Sequence, residues 1–182
     1  MQITDAEKLI LIMLCDIYEH LKIKGEIDPK FVQSAIWNDH TWALEWQYTG
    51  IFQGKGETPQ IVKEVVDILE MWSTVESYYD RLSAEDKELV KKEAHPYGSE
   101  VRFPGFDGNN EGEYMSIARF LIDDLHRFTN FKGRELNSHM PSLEQYQRML
   151  VVFQTLRPQI PDTPFSATQI ISLLNERKRN RS

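Results

Sequence analysis

The stretch Phe103–Phe131 reads FPGFDGNNEGEYMSIARFLIDDLHRFTNF, and it decides the fold. A turn-forming Pro-Gly pair and a polar Asp-Gly-Asn-Asn run come first. Apolar residues then recur every three or four positions, which is the spacing of a helix. They are Tyr114, Met115, Ile117, Ala118, Leu121, Ile122, Leu125 and Phe128. Because a helix apolar over so much of its circumference needs neighbours on most sides, the pattern predicts a central core helix near residues 111–129.

Helix start signals recur along the rest of the chain. Thr4 and Glu7 form a capping-box pattern, and a proline follows Asp28 and Thr58 at the first helical position. Further helices are predicted near residues 4–22, 28–37, 41–48, 59–82, 83–94, 142–156 and 166–174. The sequence therefore predicts an all-α fold, a single domain of about seven to eight helices over residues 1–176, with a basic tail at 177–182. The first helix is apolar on two faces and is expected to be buried on two sides.

Composition limits the possible partners and compartments. The chain has 182 residues, of which 41% are apolar, and a net charge of -7. An acidic protein repels nucleic acid and anionic membranes at long range, so neither is a favoured partner. The apolar run Leu9–Cys15 is too short to span a bilayer. Cys15 is the single cysteine, which excludes a disulfide within the chain and favours a cytoplasmic protein.

Metal binding is the strongest enzymatic hypothesis that the residues offer. Asp123 and His126 lie three positions apart on the predicted core helix, and Asp16 and His20 lie four apart on the first. Either spacing puts two potential ligands on one face of a helix. A solvated helix face explains the same residues more simply. We therefore predict no metal and no other cofactor, with Asp123 and His126 as the weak candidates should a metal bind.

Other catalytic patterns fail on inspection. The glycine-rich stretch Gly50–Gly56 has one residue too few between its glycines for a phosphate-binding loop, and lacks the Ser or Thr that would follow the lysine. Cys15 has no evident basic neighbour, and no serine lies in a G-x-S-x-G turn. The catalytic residues are accordingly unknown, and the sequence favours a non-enzymatic protein without excluding an enzyme.

Two features suggest contacts with other molecules. Three tryptophans, Trp37, Trp42 and Trp46, lie close together in the sequence, where they serve either as core residues or as an interface. The tail over residues 177–182 is rich in arginine and lysine. It either binds an acidic partner or satisfies the carbonyls at the end of the last helix.

Several short motifs resemble those of the YfbU-like family of bacterial proteins. They are Gly105-Phe106-Asp107, Glu113-Tyr114, Ala118-Arg119-Phe120 and Tyr146-Gln147-Arg148-Met149-Leu150. The likeness extends from about residue 4 to residue 174. It implies an all-α, cytoplasmic, self-associating protein and implies no reaction, because the family has no established catalytic mechanism. Arg119, Tyr146 and Arg148 match its motifs, and each also has a structural explanation.

The favoured function is a non-enzymatic interaction or regulatory protein that forms a homo-oligomer and binds an unknown protein partner. Two alternatives stay open. One is a metal-dependent hydrolase or redox enzyme that uses Asp and His ligands carried on helices. The other is a nucleic-acid-associated regulator that binds through the basic tail.

Overall fold

The computed structural model describes residues 3–52, 56–159 and 164–178. Eight α-helices lie in those ranges: α1 (Asp5–His20), α2 (Pro29–Trp37), α3 (Trp42–Gln47), α4 (Gln60–Arg81), α5 (Ala84–Glu93), α6 (Gly112–Asp123), α7 (Leu143–Leu156) and α8 (Ala167–Asn175). Short 3₁₀ turns occupy Tyr97–Ser99, Thr129–Phe131 and Arg157–Gln159. The described ranges contain no β-strand, only one bridge between Phe106 and Asn137. The prediction of an all-α fold is confirmed.

The helix starts follow the local sequence signals. At α1 the Thr4 hydroxyl accepts from the Glu7 N–H at 3.3 Å, and the Glu7 carboxylate accepts from the Thr4 N–H at 2.8 Å. This reciprocal pair satisfies two backbone donors that the first turn leaves free. Asp28 caps α2 ahead of Pro29, and Ser166 caps α8 in the same reciprocal way as Thr4. These short-range bonds, and that of Ser83 at α5, explain why the predicted and observed starts of α1, α2, α5 and α8 agree closely, whereas α3, α4, α6 and α7 begin without a side-chain cap bond.

The centre of the molecule is α4 together with α6. The core positions of α4, from Val62 to Val75, include seven apolar side chains with no exposed surface, and α4 packs against α6, α7 and α8. Ile117 and Leu121 of α6 are buried as the sequence predicts. The core helix is shorter than predicted, however, because α6 ends at Asp123.

Beyond α6 the chain folds back on the helix end instead of extending it. The Leu125 N–H donates to the Phe120 carbonyl at 3.0 Å, and the Arg127 N–H donates to the Leu121 carbonyl at 2.8 Å. His126 and Phe128 then adopt left-handed φ angles of 53° and 51°. This conformation cannot continue an α-helix. Leu125 and Phe128 therefore pack against the core from a turn.

A buried carboxylate ties α4 to the segment before α6. Glu76 is 3% exposed and lies on the inner face of α4. Its two oxygens accept from both terminal nitrogens of Arg134 at 2.9 Å, and one of them accepts from the Phe103 N–H at 2.7 Å. Arg102 donates to it as well, at 3.2 Å. A bidentate arginine and a backbone N–H compensate the charge that burial would otherwise penalise.

A second buried carboxylate, Glu111, fixes the start of α7. Its oxygens accept from the backbone N–H groups of Asp107, Ser142 and Leu143 at 2.7–2.9 Å, and from the Ser142 hydroxyl at 2.6 Å. Burial alone would raise the pKa of Glu111, but these hydrogen bonds outweigh it and hold the pKa below the usual value of a glutamate. The carboxylate therefore acts as a charged cap for a helix that is distant in sequence.

Close packing between the loop before α6 and the loop before α7 depends on a glycine. Gly105 has a φ of 91°, and a Cβ there would collide with the Leu136 carbonyl. The Gly105 carbonyl accepts from the Tyr146 hydroxyl at 2.6 Å. Only a residue without a side chain allows the two loops to approach this closely.

His40 locks the turn between α2 and α3 onto α6. It is 5% exposed, and its Nε2 lies 3.1 Å from the Ser116 hydroxyl. Its ring contacts Phe120 edge-on, with centroids 4.9 Å apart. Burial lowers the pKa of His40, while the bond to Ser116 and the nearby carboxylates of Asp39, Asp124 and Glu113 offset part of that decrease.

Glu111→Gln should lower the free energy of unfolding at pH 7 by about 2–3 kcal/mol, because an amide cannot accept all four bonds. The carboxylate stabilises the fold at pH values above its unfolded pKa, and that stabilisation is lost as the pH falls through the lowered folded pKa. The difference between variant and wild type should therefore shrink below about pH 4.5. Urea unfolding across this range measures it. Glu113→Gln is the matched control, because Glu113 is an exposed carboxylate in the first turn of α6, two residues after Glu111. A difference independent of pH would contradict the assignment.

The depressed pKa of His40 predicts a second pH effect. The unfolded chain binds a proton at His40 near pH 6.5, at which the folded chain still holds the ring neutral. Stability should therefore fall as the pH drops from 7.5 towards 5.5, because His40 must stay neutral in the fold while it takes up a proton in the unfolded chain. Thermal unfolding of His40→Gln should show a correspondingly flatter pH profile. His139→Asn, at an exposed histidine, should leave the profile unchanged. A profile for His40→Gln that matches the wild type would refute this role.

Candidate interaction surface

Helix α1 uses one of its faces to join the body of the protein. In the described part of the chain it packs mainly against α2, which runs antiparallel to it. Lys8 pairs with Asp39 at 2.9 Å near one end of the two helices, and Gln33 donates to Asp16 at 2.8 Å near the other. Cys15 is buried on this face, and Leu11 and Ile12 pack beside it.

The opposite face of α1 is apolar and exposed. Six large side chains form this surface, called the outer face here, and each has 50–63% of its area exposed: Leu9, Ile10, Met13, Leu14, Ile17 and Leu21. Residues three and four apart share one face of a helix, so the six form a continuous stripe along all four turns. The prediction that α1 is buried on two sides therefore holds for one side only in the described part of the chain.

A groove runs beside the outer face. It has a volume of about 540 Å³ and lies between α1, α2, α3 and the segment that follows α3. Its walls are almost entirely apolar and include Ile10, Leu14, Cys15, Val32, Leu44 and Phe52. Burial raises the pKa of the Cys15 thiol, so at neutral pH it is a protonated apolar wall residue rather than a nucleophile.

The three tryptophans have different environments. Trp42 is 7% exposed and meets Trp46 edge-on, with ring centroids 4.9 Å apart. Trp46 donates to the Thr58 hydroxyl at 3.3 Å, and the guanidinium of Arg127 lies 4.6 Å above its ring. Trp37, at the end of α2, is 71% exposed. Two of the three interface candidates therefore contribute mainly to packing, and Trp37 alone is free to meet a partner.

Trp37 extends the outer face of α1. It lies one turn after Gln33 on α2, so both residues point to the same side of that helix. Gln33 bonds Asp16, and Leu9 lies two turns before Asp16 on the same side of α1. Since the helices are antiparallel, Trp37 falls at the edge of α1 that carries Leu9.

The structure does not put the candidate metal ligands on one helix. Asp123 is the last residue of α6, and His126 lies in the turn beyond it with a left-handed φ; both are exposed. The helical spacing that motivated the hypothesis is therefore absent. Asp16 and His20 share α1, where Gln33 already engages Asp16. Among the described residues no group of three His, Cys, Asp or Glu side chains could hold a metal ion.

Two of the three polar residues of the family motifs, Tyr146 and Arg148, have structural roles. Tyr146 has no exposed surface, and burial raises the pKa of its hydroxyl, which donates to the Gly105 carbonyl. Arg148 donates to the Glu176 carbonyl at 2.9 Å and so satisfies the end of α8. Arg119 is exposed and lies 3.9 Å from Glu135.

The predicted basic tail begins within the fold. The guanidinium of Arg177 lies 4.2 Å from the centre of the Tyr97 ring and 5.4 Å from that of Trp72, and its Nε donates to Gln145 at 3.3 Å. Residues 179–182 of that tail lie outside the described residues, as do residues 53–55 of the glycine-rich stretch.

Charged residues mark the two ends of α1 differently. Asp5 and Glu7 lie in its first turn, His20 lies in its last, and Lys22 and Lys24 follow directly. Both ends suit the helix dipole, which favours negative charge at the start and positive charge at the finish. Asp16 and Glu19 also lie near the finish, so the outer face is an apolar stripe with an acidic start and a finish where Lys22 and Lys24 balance two carboxylates.

No helix in the described ranges is long and apolar enough to cross a membrane. A contiguous exposed apolar patch marks a site of contact with a protein, a membrane surface or a ligand. Six of the twelve large apolar side chains exposed in the described residues lie on the outer face of α1, and the groove adjoins it.

Comparison with known proteins assigns the family. The YfbU domain matches residues 1–172. The chain is also similar to UPF0304 protein MJECS11 of Methanocaldococcus jannaschii, with 35% identity over 96 residues. That alignment covers 50% of this chain and 54% of the relative, so the chain spans about half the length of the curated relative it matches. The YfbU domain includes all of α1 and most of the helical body, and the chain belongs to the YfbU family.

Proposed function

We propose that this YfbU-family protein acts through protein–protein contact rather than catalysis, and that two copies associate through the outer face of α1. The observation that carries the proposal is that α1 is apolar on two opposite faces, of which the described residues of the chain cover one. The single cysteine supports a cytoplasmic setting for this assembly, as the sequence suggested.

The energetics favour covering this face. Complete burial of a Leu, Ile or Met side chain is worth about 1.5–3 kcal/mol, so each half-exposed residue of the outer face has about 1 kcal/mol still to gain. Six such residues lie together, and scattered single exposures would need no such explanation. Association must exceed the cost of lost translational and rotational freedom, and a contiguous apolar stripe is the usual means.

Trp37 supports the same assignment. Tryptophan is enriched among the residues that contribute most to binding energy, because its large ring loses much apolar surface with little conformational entropy. Its 71% exposure at the edge of α1 would place it at the margin of the interface. The core of the contact would then be the outer face itself.

The buried polar groups are used in another way. The carboxylates of Glu76 and Glu111 are both engaged by backbone N–H groups, and Glu76 by two arginines as well. His40 is enclosed by aromatic rings and Ser116. These groups stabilise the fold of a single chain. The exposed apolar side chains of the outer face have no such role within the described residues, and association would explain them.

Light scattering after gel filtration tests the association. The wild type should have the mass of two 21.4 kDa chains at about 50 µM, a concentration at which even micromolar affinity gives mostly dimer. Met13→Glu and Ile17→Glu should each raise the dissociation constant at least 100-fold, because a carboxylate at an apolar interface centre must be desolvated without a partner. Circular dichroism should show unchanged helix content, since both side chains are half exposed.

Val151→Glu is the matched control. Val151 is 66% exposed on α7, which makes it as accessible as Leu9 but places it outside the proposed surface. This variant should retain the wild-type mass. A wild type that is monomeric at that concentration would refute the proposal, as would equal effects of all three substitutions.

A further inference from the structure

The exposed residues of α1 include a regular seam. Ala6, Ile10, Met13, Ile17 and Leu21 succeed one another at intervals of three or four residues, and all five are exposed. Leu9 flanks the seam on one side and Leu14 on the other. The successive intervals are four, three, four and four, close to the three-and-four spacing of helices that pair side by side over their full length. A partner surface of the same kind, straight and helical, fits this seam.

Two-fold symmetry leaves two ways to pair this seam with itself. A closed dimer uses the same patch on both chains, with the helices either parallel or antiparallel. In a parallel pair the acidic first turns, with Asp5 and Glu7, would lie side by side, and Lys22 would lie beside Lys22 of the partner subunit. In an antiparallel pair each acidic start lies near Lys22 and Lys24 of the other copy, and the two helix dipoles oppose each other.

The spacing of the seam also sets the register. With the two-fold axis between Met13 and Leu14, Ile10 lies opposite Ile17 of the partner subunit. Ala6 then lies opposite the partner's Leu21, so the small residue meets the large one at each end. Every seam position meets an apolar residue, and no charged side chain is trapped at the centre.

We propose that two copies of this chain pair through α1 as an antiparallel two-fold dimer, with Ile10 of each copy facing Ile17 of the other. This inference rests on the proposed function and adds the direction and register of the contact. The charge pattern favours a second copy over an unrelated protein, because Lys22 and Lys24 after α1 are cations that the acidic first turn of another copy can pair with.

Disulfide crosslinking of mixed variants tests the direction. Ile10→Cys and Ile17→Cys are made in separate chains, mixed in denaturant, refolded together and oxidised mildly. In the antiparallel register the two Ile10→Cys sulfurs of a pure variant are offset by seven residues, or about 10 Å along the axis, which exceeds the Cα separation a disulfide spans. Each pure variant should therefore stay uncrosslinked, and the mixture should give a crosslinked dimer that joins one chain of each kind.

The wild type is the control, because its one cysteine, Cys15, is buried and should not crosslink. Crosslinking of each pure variant with itself would indicate a parallel pair and overturn the inference. A dimer by light scattering that crosslinks in no combination would overturn it too and leave the proposed association intact. A monomer by light scattering would refute the proposed function and this inference together. An unrelated protein or another segment of the chain would then be what covers the outer face.

Charge reversal gives an independent readout. Lys22→Glu combined with Lys24→Glu places carboxylates beside the acidic start of the other helix in the antiparallel pair only. Exposed charge pairs contribute modestly, so the dissociation constant should rise about tenfold at low salt, and less at high salt. Lys91→Glu with Lys92→Glu, on the exposed side of α5, is the control and should have little effect. An unchanged affinity for the Lys22 and Lys24 variant would contradict the antiparallel arrangement.

Discussion

A helix that is apolar on two opposite sides needs two neighbours, and α1 has only one in the described part of its chain. Its inner side closes on α2, where ion pairing and an amide–carboxylate bond fix the two helices. The outer side keeps half of each large side chain in contact with water. This imbalance is the constraint from which the functional argument starts, because the free energy left unrealised on one face can be recovered only by association.

Buried charge fixes the irregular region around α6. Between α5 and α7 the described chain contains little regular structure other than α6, yet it is held by hydrogen bonds that converge on two buried carboxylates. Glu76 joins α4 to the loops on either side of α6, and Glu111 joins the loop before α6 to the start of α7. Each links segments distant in sequence through charge-assisted bonds, which are stronger than neutral ones. The irregular region is therefore as well fixed as the helices it connects.

The sequence predicted the parts of the structure that local chemistry determines. Helix starts depend on capping residues within one turn, so the starts at Thr4 and Asp28 were foreseen. The early end of α6 was not foreseen, because apolar periodicity continues through Phe128 and only packing shows that it belongs to a turn. Glu76 and Glu111 were missed for a related reason. A glutamate in an amphipathic pattern indicates an exposed position, and the partners that compensate burial lie dozens of residues away.

The candidate surface, too, was predictable from the sequence only in part. The sequence showed two apolar faces on the first helix, and the second face was the signal for a possible contact surface. The sequence could not tell whether another part of the chain would cover that second face. It also grouped Trp37 with Trp42 and Trp46, although the turn at His40 carries the latter two inward and leaves Trp37 outside. The direction of a side chain after a turn depends on the turn, and spacing along the chain does not encode it.

Net charge sets the last condition on association. Each chain carries -7, so two copies repel at long range, and the repulsion is screened beyond about 10 Å at moderate salt. The outer face avoids this cost, because residues 3–24 contain four carboxylates and three lysines and are close to neutral. The acidity lies mainly on the rest of the molecule, where it opposes non-specific contact between copies. Contact through α1 therefore buries much apolar surface while the two copies repel each other little. This combination gives the association its specificity.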